Sequence, residues 1–145
     1  MDFISGLPKS QGFDVILMVV DRLFKYAYFV LMRYPYTTKM VAGVFVREVV
    51  RLHGLPSSIF CDRDPTFVSN FSKEFFQLGG TTLKMSSSYY FQTDGQKEIV
   101  NKCLETYLRC FASKRPHSWV RGILWAEYYY NSAVCSSKIT PFRWY

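Results

Sequence analysis

The sequence predicts an α/β fold, a mixed five-stranded sheet flanked by helices. Three observations point to it. Val15–Val20 is an unbroken apolar, β-branched run, as expected of a strand covered on both faces. Several later segments repeat their apolar residues every three to four positions, the period of a helix with one buried face. The elements run as three strands, helix, strand, helix, strand, then helices, an order that builds a sheet with helices on both sides.

The chain opens with the short apolar run Met1-Asp2-Phe3-Ile4, closed by Gly6-Leu7-Pro8. Its expected strand is shortened at the amino-terminal side, because Asp2 stands one residue from the start. Lys9-Ser10-Gln11-Gly12 has turn chemistry and leads into the central strand. Asp21-Arg22-Leu23-Phe24-Lys25 turns the chain again, and 26–32 makes a third strand, completing an antiparallel meander. Thr37-Thr38 opens a helix through Val41, Val44, Phe45, Glu48, Val49 and Leu52, stopped by Gly54-Leu55-Pro56. A fourth strand is expected over 58–61, ending at Asp62. A second helix is expected from Ser69-Asn70 to Gly79-Gly80, a fifth strand over 81–85 and a loop over 86–91. Thr93 and Gln96 fit a capping box for a third helix. Its apolar face comprises Ile99, Val100, Cys103, Leu104, Tyr107, Leu108 and Phe111, and Glu98, Lys102, Glu105 and Arg109 share another face. Pro116 starts a fourth helix through Trp119, Ile123, Trp125-Ala126 and Tyr129-Tyr130.

Size and composition bound the function. The 145 residues suffice for one domain with its own core, and a sequence 49% hydrophobic and 19% aromatic is not that of a disordered chain. No apolar run reaches the roughly 20 residues of a membrane span, and the first residues do not form a signal peptide. A cytosolic or nuclear setting follows, with no membrane partner. Cys61, Cys103, Cys110 and Cys135 contain no CxxC pair, which favours reduced thiols over a zinc or disulfide framework. The net charge of +7 suits a polyanionic partner, because cations near phosphates release condensed counterions. A solubilising surface accounts for that charge equally well.

Asp2, Asp62 and Glu98 stand on three separate predicted elements, the latter two with thirty-five residues between them. Phosphoryl transfer needs an activated oxygen nucleophile and a stabilised leaving oxygen. Two divalent ions about 3.5–4 Å apart, held by carboxylates, serve both needs. Mg²⁺ takes a few carboxylates together with water and phosphate oxygens. Asp62 falls at the carboxyl end of its predicted strand, where open α/β sheets place ligands. Each acid also has an ordinary reading: Asp62 as a turn residue, Glu98 as a helix-dipole partner and Asp2 as a terminal surface acid.

The text around these acids resembles the catalytic core of the gypsy-like retrotransposon integrases. Asp2-Phe3-Ile4-Ser5-Gly6-Leu7-Pro8 is similar to the family's opening block, and Val19-Val20-Asp21-Arg22-Leu23-Phe24-Lys25-Tyr26-Ala27 to its second. Leu52-His53-Gly54-Leu55-Pro56 followed by Asp62-Arg63-Asp64-Pro65-Thr66-Phe67 resembles the block with the second acid. Gln92-Thr93-Asp94-Gly95-Gln96-Lys97-Glu98 with Val100-Asn101 resembles the block with the last acid. Trp125-Ala126-Glu127-Tyr128, Tyr130-Asn131 and Thr140-Pro141-Phe142 match its carboxyl-terminal side. Tyr90-Phe91 stand where the family has His-Pro, which removes a rigid φ from the loop. Cys61, Ser72 and Tyr28 replace the family's usual Ser, Trp and His.

The resemblance implies an RNase H-like fold and metal-dependent polynucleotidyl transfer in DNA integration, covering 3′-end processing and strand transfer. It makes Asp2, Asp62 and Glu98 both the catalytic residues and the ligands of Mg²⁺ or Mn²⁺. Asn101, Lys102 and Gln92 are the expected DNA contacts; an i, i+4 ion pair with Glu98 is the plainer role for Lys102. DNA is the partner, a homodimer or higher oligomer the expected assembly, and no small-molecule substrate is implied. Residues 1–145 correspond to the core domain, without the family's zinc-binding amino-terminal domain and its carboxyl-terminal domain. The nucleus is the expected location, after passage through the cytoplasm. The other function classes in view are a catalytically inactive, integrase-derived nucleic-acid-binding module and a protein-interaction remnant that uses the Trp- and Tyr-rich fourth helix.

Overall fold

The computed structural model describes residues 1–22, 24–56, 58–61, 63–79 and 95–133. They fall into two compact units: Asp2–Tyr34 with the described residues from 95 onward, and Met1 with the described residues from Pro35 to Gly79.

The first unit is built on a three-stranded antiparallel meander of β1 (Asp2–Ile4), β2 (Val15–Val20) and β3 (Ala27–Met32), in that spatial order. The register sets Asp2 opposite Met18 and Ile4 opposite Ile16. Val15, Ile16, Leu17, Met18 and Val19 are all buried, so β2 is covered on both faces as its lack of alternation predicts. The turn before β2 places Gln11 and Gly12 at positive φ, and Ser10 and Phe13 exchange backbone hydrogen bonds of 2.9 Å. Helix α4 (Gly95–Ala112), a short 3₁₀ turn (Pro116–Ser118) and helix α5 (Val120–Ser132) complete this unit. Its core joins Ile16 and Met18 of β2, Ala27 and Phe29 of β3, Val100, Leu104 and Leu108 of α4, and Trp119, Ile123 and Ala126 at α5.

The apolar stripe of α4 is narrower than the sequence pattern suggests. Val100, Leu104 and Leu108 are buried, whereas Ile99 and Phe111 are 62% and 47% exposed and Cys103 is also exposed. Residues spaced by four bury a single line; the flanking apolar residues fall to either side of it.

The second unit packs α1 (Thr38–Phe45) against α3 (Pro65–Gly79). Thr37 caps α1 by accepting a hydrogen bond from the Met40 amide at 3.2 Å. Helix α1 runs on through a π-helical segment (Val46–Val50) into a last turn, α2 (Arg51–His53), ended by Gly54 at φ 77°. The wider π turn shifts the helical phase. Val49 and Leu52, expected on the buried stripe, therefore leave it: no residue of the segment is buried and Leu52 is 54% exposed. Phe45 meets Phe71 and Phe75 edge-on at 6.0 and 5.6 Å, and Phe71 stacks on Phe75 at 5.8 Å.

Two sequence expectations need correction here. Helix α3 begins at Pro65 rather than Ser69, because Asp64 caps it through the Phe67 amide at 3.1 Å and proline suits the first helical position. Asp64→Ala is expected to cost about 1 kcal/mol of stability, readable as a lower urea midpoint at unchanged slope. The expected strand over 58–61 forms no ladder, so the sheet among the described residues has three strands. Four residues are at the short end for a strand, and Phe60 there accepts a hydrogen bond from the Met1 amino group. The expected fifth strand, the loop over 86–91, the capping box and the segment 140–145 lie outside the described residues.

Candidate metal and nucleic-acid site

The site is built on β1 and the amino-terminal part of α4. Pairing with β2 fixes the backbone of Asp2, and the chain leaving β1 is tied to the start of α5. There the Trp119 indole N–H donates to the Pro8 carbonyl at 2.6 Å, the Val120 amide to Ser10 Oγ at 3.4 Å, and His117 Nδ1 lies 3.0 Å from the Lys9 carbonyl. Trp119 is 1% exposed, so its single polar atom needs such a partner.

Both oxygens of the half-buried Asp2 carboxylate are engaged. Oδ1 accepts from the Phe3 amide at 2.7 Å, and Oδ2 accepts from Asn101 Nδ2 at 3.1 Å. The second bond draws α4 onto β1. Asn101 also holds a carbonyl oxygen, Oδ1, that is buried and has no hydrogen-bond partner. A buried amide oxygen left without a donor costs about 1–3 kcal/mol.

Glu98 lies in the first turn of α4, three residues before Asn101, and is exposed. Residues three apart on a helix are surface neighbours, so the Glu98 and Asn101 side chains leave α4 on the same side. Lys102 is exposed one position further on and makes no ion pair with Glu98, so its ammonium is available to an anion. The donor chemistry fits a hard divalent cation: two carboxylates and a neutral amide oxygen are the oxygen ligands such ions take. Among the described residues, no three His, Cys, Asp or Glu side chains converge. Asp62 and Gln92 lie outside the described residues.

The structure thus joins Asp2 to Asn101 and puts Glu98 beside Asn101 on α4. The sequence set Asn101 on the same side of the helix as Glu98, but no sequence signal linked Asn101 to Asp2, ninety-nine positions away.

A second set of polar contacts had no counterpart in the sequence reading. Asn131, fully buried, accepts from the Ala27 amide and donates to the Ala27 carbonyl, both at 2.8 Å. One turn earlier on α5, Glu127 accepts from the Phe29 amide at 2.8 Å. The signal was the pair Glu127 and Asn131 at i, i+4 on α5.

No protein-family model matches the chain. In sequence it is 38% identical over 144 residues, 99% of its length, to the transposon Tf2-3 and Tf2-4 polyproteins of Schizosaccharomyces pombe (strain 972 / ATCC 24843), and it spans 11% of their length. In structure it is similar to the HTLV-2 integrase catalytic core domain, which was solved in complex with magnesium in a trimeric form. That likeness has a TM-score of 0.65 at 19% identity, covering 98% of this chain and 92% of the other. The fold is that of an integrase catalytic core, RNase H-like, as the motif resemblance implies. Among the described residues no helix is long and apolar enough to cross a membrane.

Proposed function

We propose that this relative of the retrotransposon polyproteins, with the fold of an integrase catalytic core, serves DNA integration as a metal-dependent polynucleotidyl transferase. The observation that carries the reading is the anchored Asp2 carboxylate, bonded to the helix that bears Glu98. Residues 1–145 act in this reading as the core domain. Asp2, Asp62 and Glu98 are the acids that would hold Mg²⁺ or Mn²⁺. The magnesium in the similar viral core supports that choice of cation.

When bound, the cations supply Lewis acidity to the attacking and leaving oxygens. The chain's own residues do the placing. β1 and the Phe3 amide hold the Asp2 carboxylate in one orientation, and α4 presents Glu98 from its first turn. Lys102 and Gln92 are proposed to contact phosphate at the DNA end; for Lys102 the support is an exposed, unbridged ammonium next to Asn101. The reaction is hydroxyl attack on a phosphodiester, first by water in 3′-end processing and then by a DNA 3′-hydroxyl in strand transfer. Phosphorus exchanges one oxygen substituent for another, so no side-chain nucleophile is required. The work is done on chromosomal DNA in the nucleus and by an oligomer, a homodimer or larger; the trimeric form of the similar core supports assembly.

The test is Mn²⁺-dependent cleavage and joining of a branched DNA substrate, beside an Asp62→Asn control. Product from the parent chain and none from the control is the expected result. Silence from both, with folding verified by circular dichroism and DNA affinity that falls steeply with salt, would instead establish a DNA-binding module without catalysis.

A further inference from the structure

The outer side of α4 carries more than Glu98 and Lys102. Ile99, Cys103, Thr106 and Cys110 follow at steps of four, three and four, which sets them along one line of the helix. It is not the buried line: Ile99, Cys103 and Cys110 are exposed, while Val100, Leu104 and Leu108 enter the core. Together with Lys102 and Tyr107 these four residues line an open groove of about 480 Å³, apolar over nearly all of its surface and of a size that small molecules fill. One wall is held firmly. Tyr107 stacks on Phe111 with ring centroids 6.0 Å apart, and Phe111 lies over Gly122 of α5, where an added Cβ would stand 2.7 Å from its ring. The Thr106 hydroxyl donates to the Lys102 carbonyl at 2.7 Å, so its proton is already engaged.

What marks the groove is that it holds two free thiols. Cys103 and Cys110 are seven residues apart on the helix, a rise of about 10.5 Å. A disulfide needs Cα atoms within about 7 Å, so neither thiol can cap the other. One metal ion cannot take both either, since its bonds to thiolate are about 2.3 Å long. A second copy of the chain fits poorly. On an antiparallel two-fold, the flank that carries Lys102 and Arg109 would face its own duplicate, cation against cation. A small apolar molecule that bonds to sulfur meets none of these obstacles, and the exposure of both thiols admits it.

We propose that this groove is a modification site: an apolar α,β-unsaturated carbonyl compound seats against Ile99 and Tyr107 and adds to Cys103 or Cys110, and an adduct on Cys103 obstructs its neighbour Lys102. The thiol first gives its proton to solvent, and the thiolate is the nucleophile. Its sulfur bonds to the β-carbon, the carbon–carbon π pair moves to the α-carbon, and that carbon takes a proton from water. No oxidant and no leaving group are involved. The obstruction rests on the reading of Lys102 as a DNA contact; the adduct itself does not.

The experiment reacts the full chain with N-phenylmaleimide and with N-methylmaleimide, each rate divided by that for glutathione. Trypsin cuts after Lys102 and Arg109, so the two thiols fall on separate peptides and mass spectrometry gives each rate. The phenyl reagent should gain about fivefold or more over the methyl one at Cys103 or Cys110, from covering part of a ring against the groove. Ile99→Ser, at an exposed position, should reduce that gain without unfolding the chain. Equal ratios at both thiols would overturn the proposal. So would a disulfide-linked dimer that forms in air and shields both thiols from the reagents, which would assign the groove to a second copy.

DNA binding, followed by fluorescence anisotropy without divalent metal, tests the obstruction. After complete reaction, the Cys110→Ser chain should show a slope of log affinity against log salt smaller by about one, the mark of one lost phosphate contact. The Cys103→Ser chain treated alike should keep its slope. An unchanged slope with Cys103 fully reacted would overturn the obstruction. Lys102→Ala separates the two levels of inference. If its slope equals that of the parent chain, the reading of Lys102 falls and the obstruction with it, while the reagent preference still decides the groove.

Discussion

Asp2→Asn is expected to lower Mn²⁺-dependent strand transfer by about 10³-fold or more while leaving the fold intact. The magnitude follows from what a metal ligand supports. Charge stabilisation by a bound cation is worth several kcal/mol at the transition state, and each 1.36 kcal/mol is about tenfold in rate. The retained fold follows from the local hydrogen bonds. An asparagine at position 2 still offers Oδ1 to the Phe3 amide, which Asp2 Oδ1 accepts from at 2.7 Å. Its Nδ2 would meet the Asn101 Nδ2 that now donates to Asp2, and the Asn101 amide answers by turning over. That rotation presents Asn101 Oδ1, buried and without a partner in the parent chain, to a donor. The variant should therefore melt no lower than wild type in metal-free buffer, so lost activity cannot be ascribed to unfolding. Glu98→Gln should lose activity to a similar degree. Because Glu98 is exposed in the first turn of α4, its neutralisation removes only a helix-dipole interaction of about 0.3–1 kcal/mol. Wild-type turnover in either variant would remove that residue from the proposed catalytic set.

How much of this was legible in the sequence depended on whether a feature is local. The unbroken apolar run of β2, the Gln11-Gly12 turn and the Gly54 stop follow from backbone sterics within a few residues, and each stands where the pattern put it. The start of α3 was local too. Asp64 and Pro65 form a cap and first-turn pair, but the helical periodicity from Ser69 onward drew attention past them. The π segment of α1 was not legible, since an i→i+5 turn leaves no mark in an apolar pattern and changes only which residues face inward. The strand over 58–61 failed for a different reason. A strand exists only through its partners, and four apolar residues do not specify one. Asp2 and Glu98 were singled out from local motif text, and the resemblance supplied the fold that the structure displays. The bond between Asp2 and Asn101 and the contacts of Glu127 and Asn131 with β3 join residues about a hundred positions apart. Such pairings are written in the packing of helices on a sheet, not in any one stretch of sequence.

The last of those contacts carries the largest expected effect on stability. Among the described strands β3 lies at an edge of the sheet, where backbone amides and carbonyls invite pairing with another chain. Helix α5 closes that edge with side chains. Residues 127 and 131 are one helical turn apart, Ala27 and Phe29 are two strand positions apart, and the two periods bring each pair into register. Asn131 acts as a one-residue strand, accepting from the Ala27 amide and donating to its carbonyl at 2.8 Å each, with no exposed surface. Asn131→Ala leaves both backbone groups buried and unmet, at about 1–3 kcal/mol apiece before any compensation. The expected loss is about 2–4 kcal/mol, a fall of roughly 5–15 °C in melting temperature. Asn131→Asp keeps the acceptor but turns the donor into a charge against the Ala27 carbonyl, so it should be at least as damaging. Glu127→Gln retains an acceptor for the Phe29 amide at a half-buried position and should cost less than about 1 kcal/mol. Thermal unfolding followed by circular dichroism gives this ranking, and hydrogen exchange at the Ala27 amide locates it: exchange there should accelerate in Asn131→Ala beyond the change at β2 amides. A variant that melts with the wild type would mean that another donor and acceptor reach Ala27, and that α5 is held on the sheet by its apolar face alone.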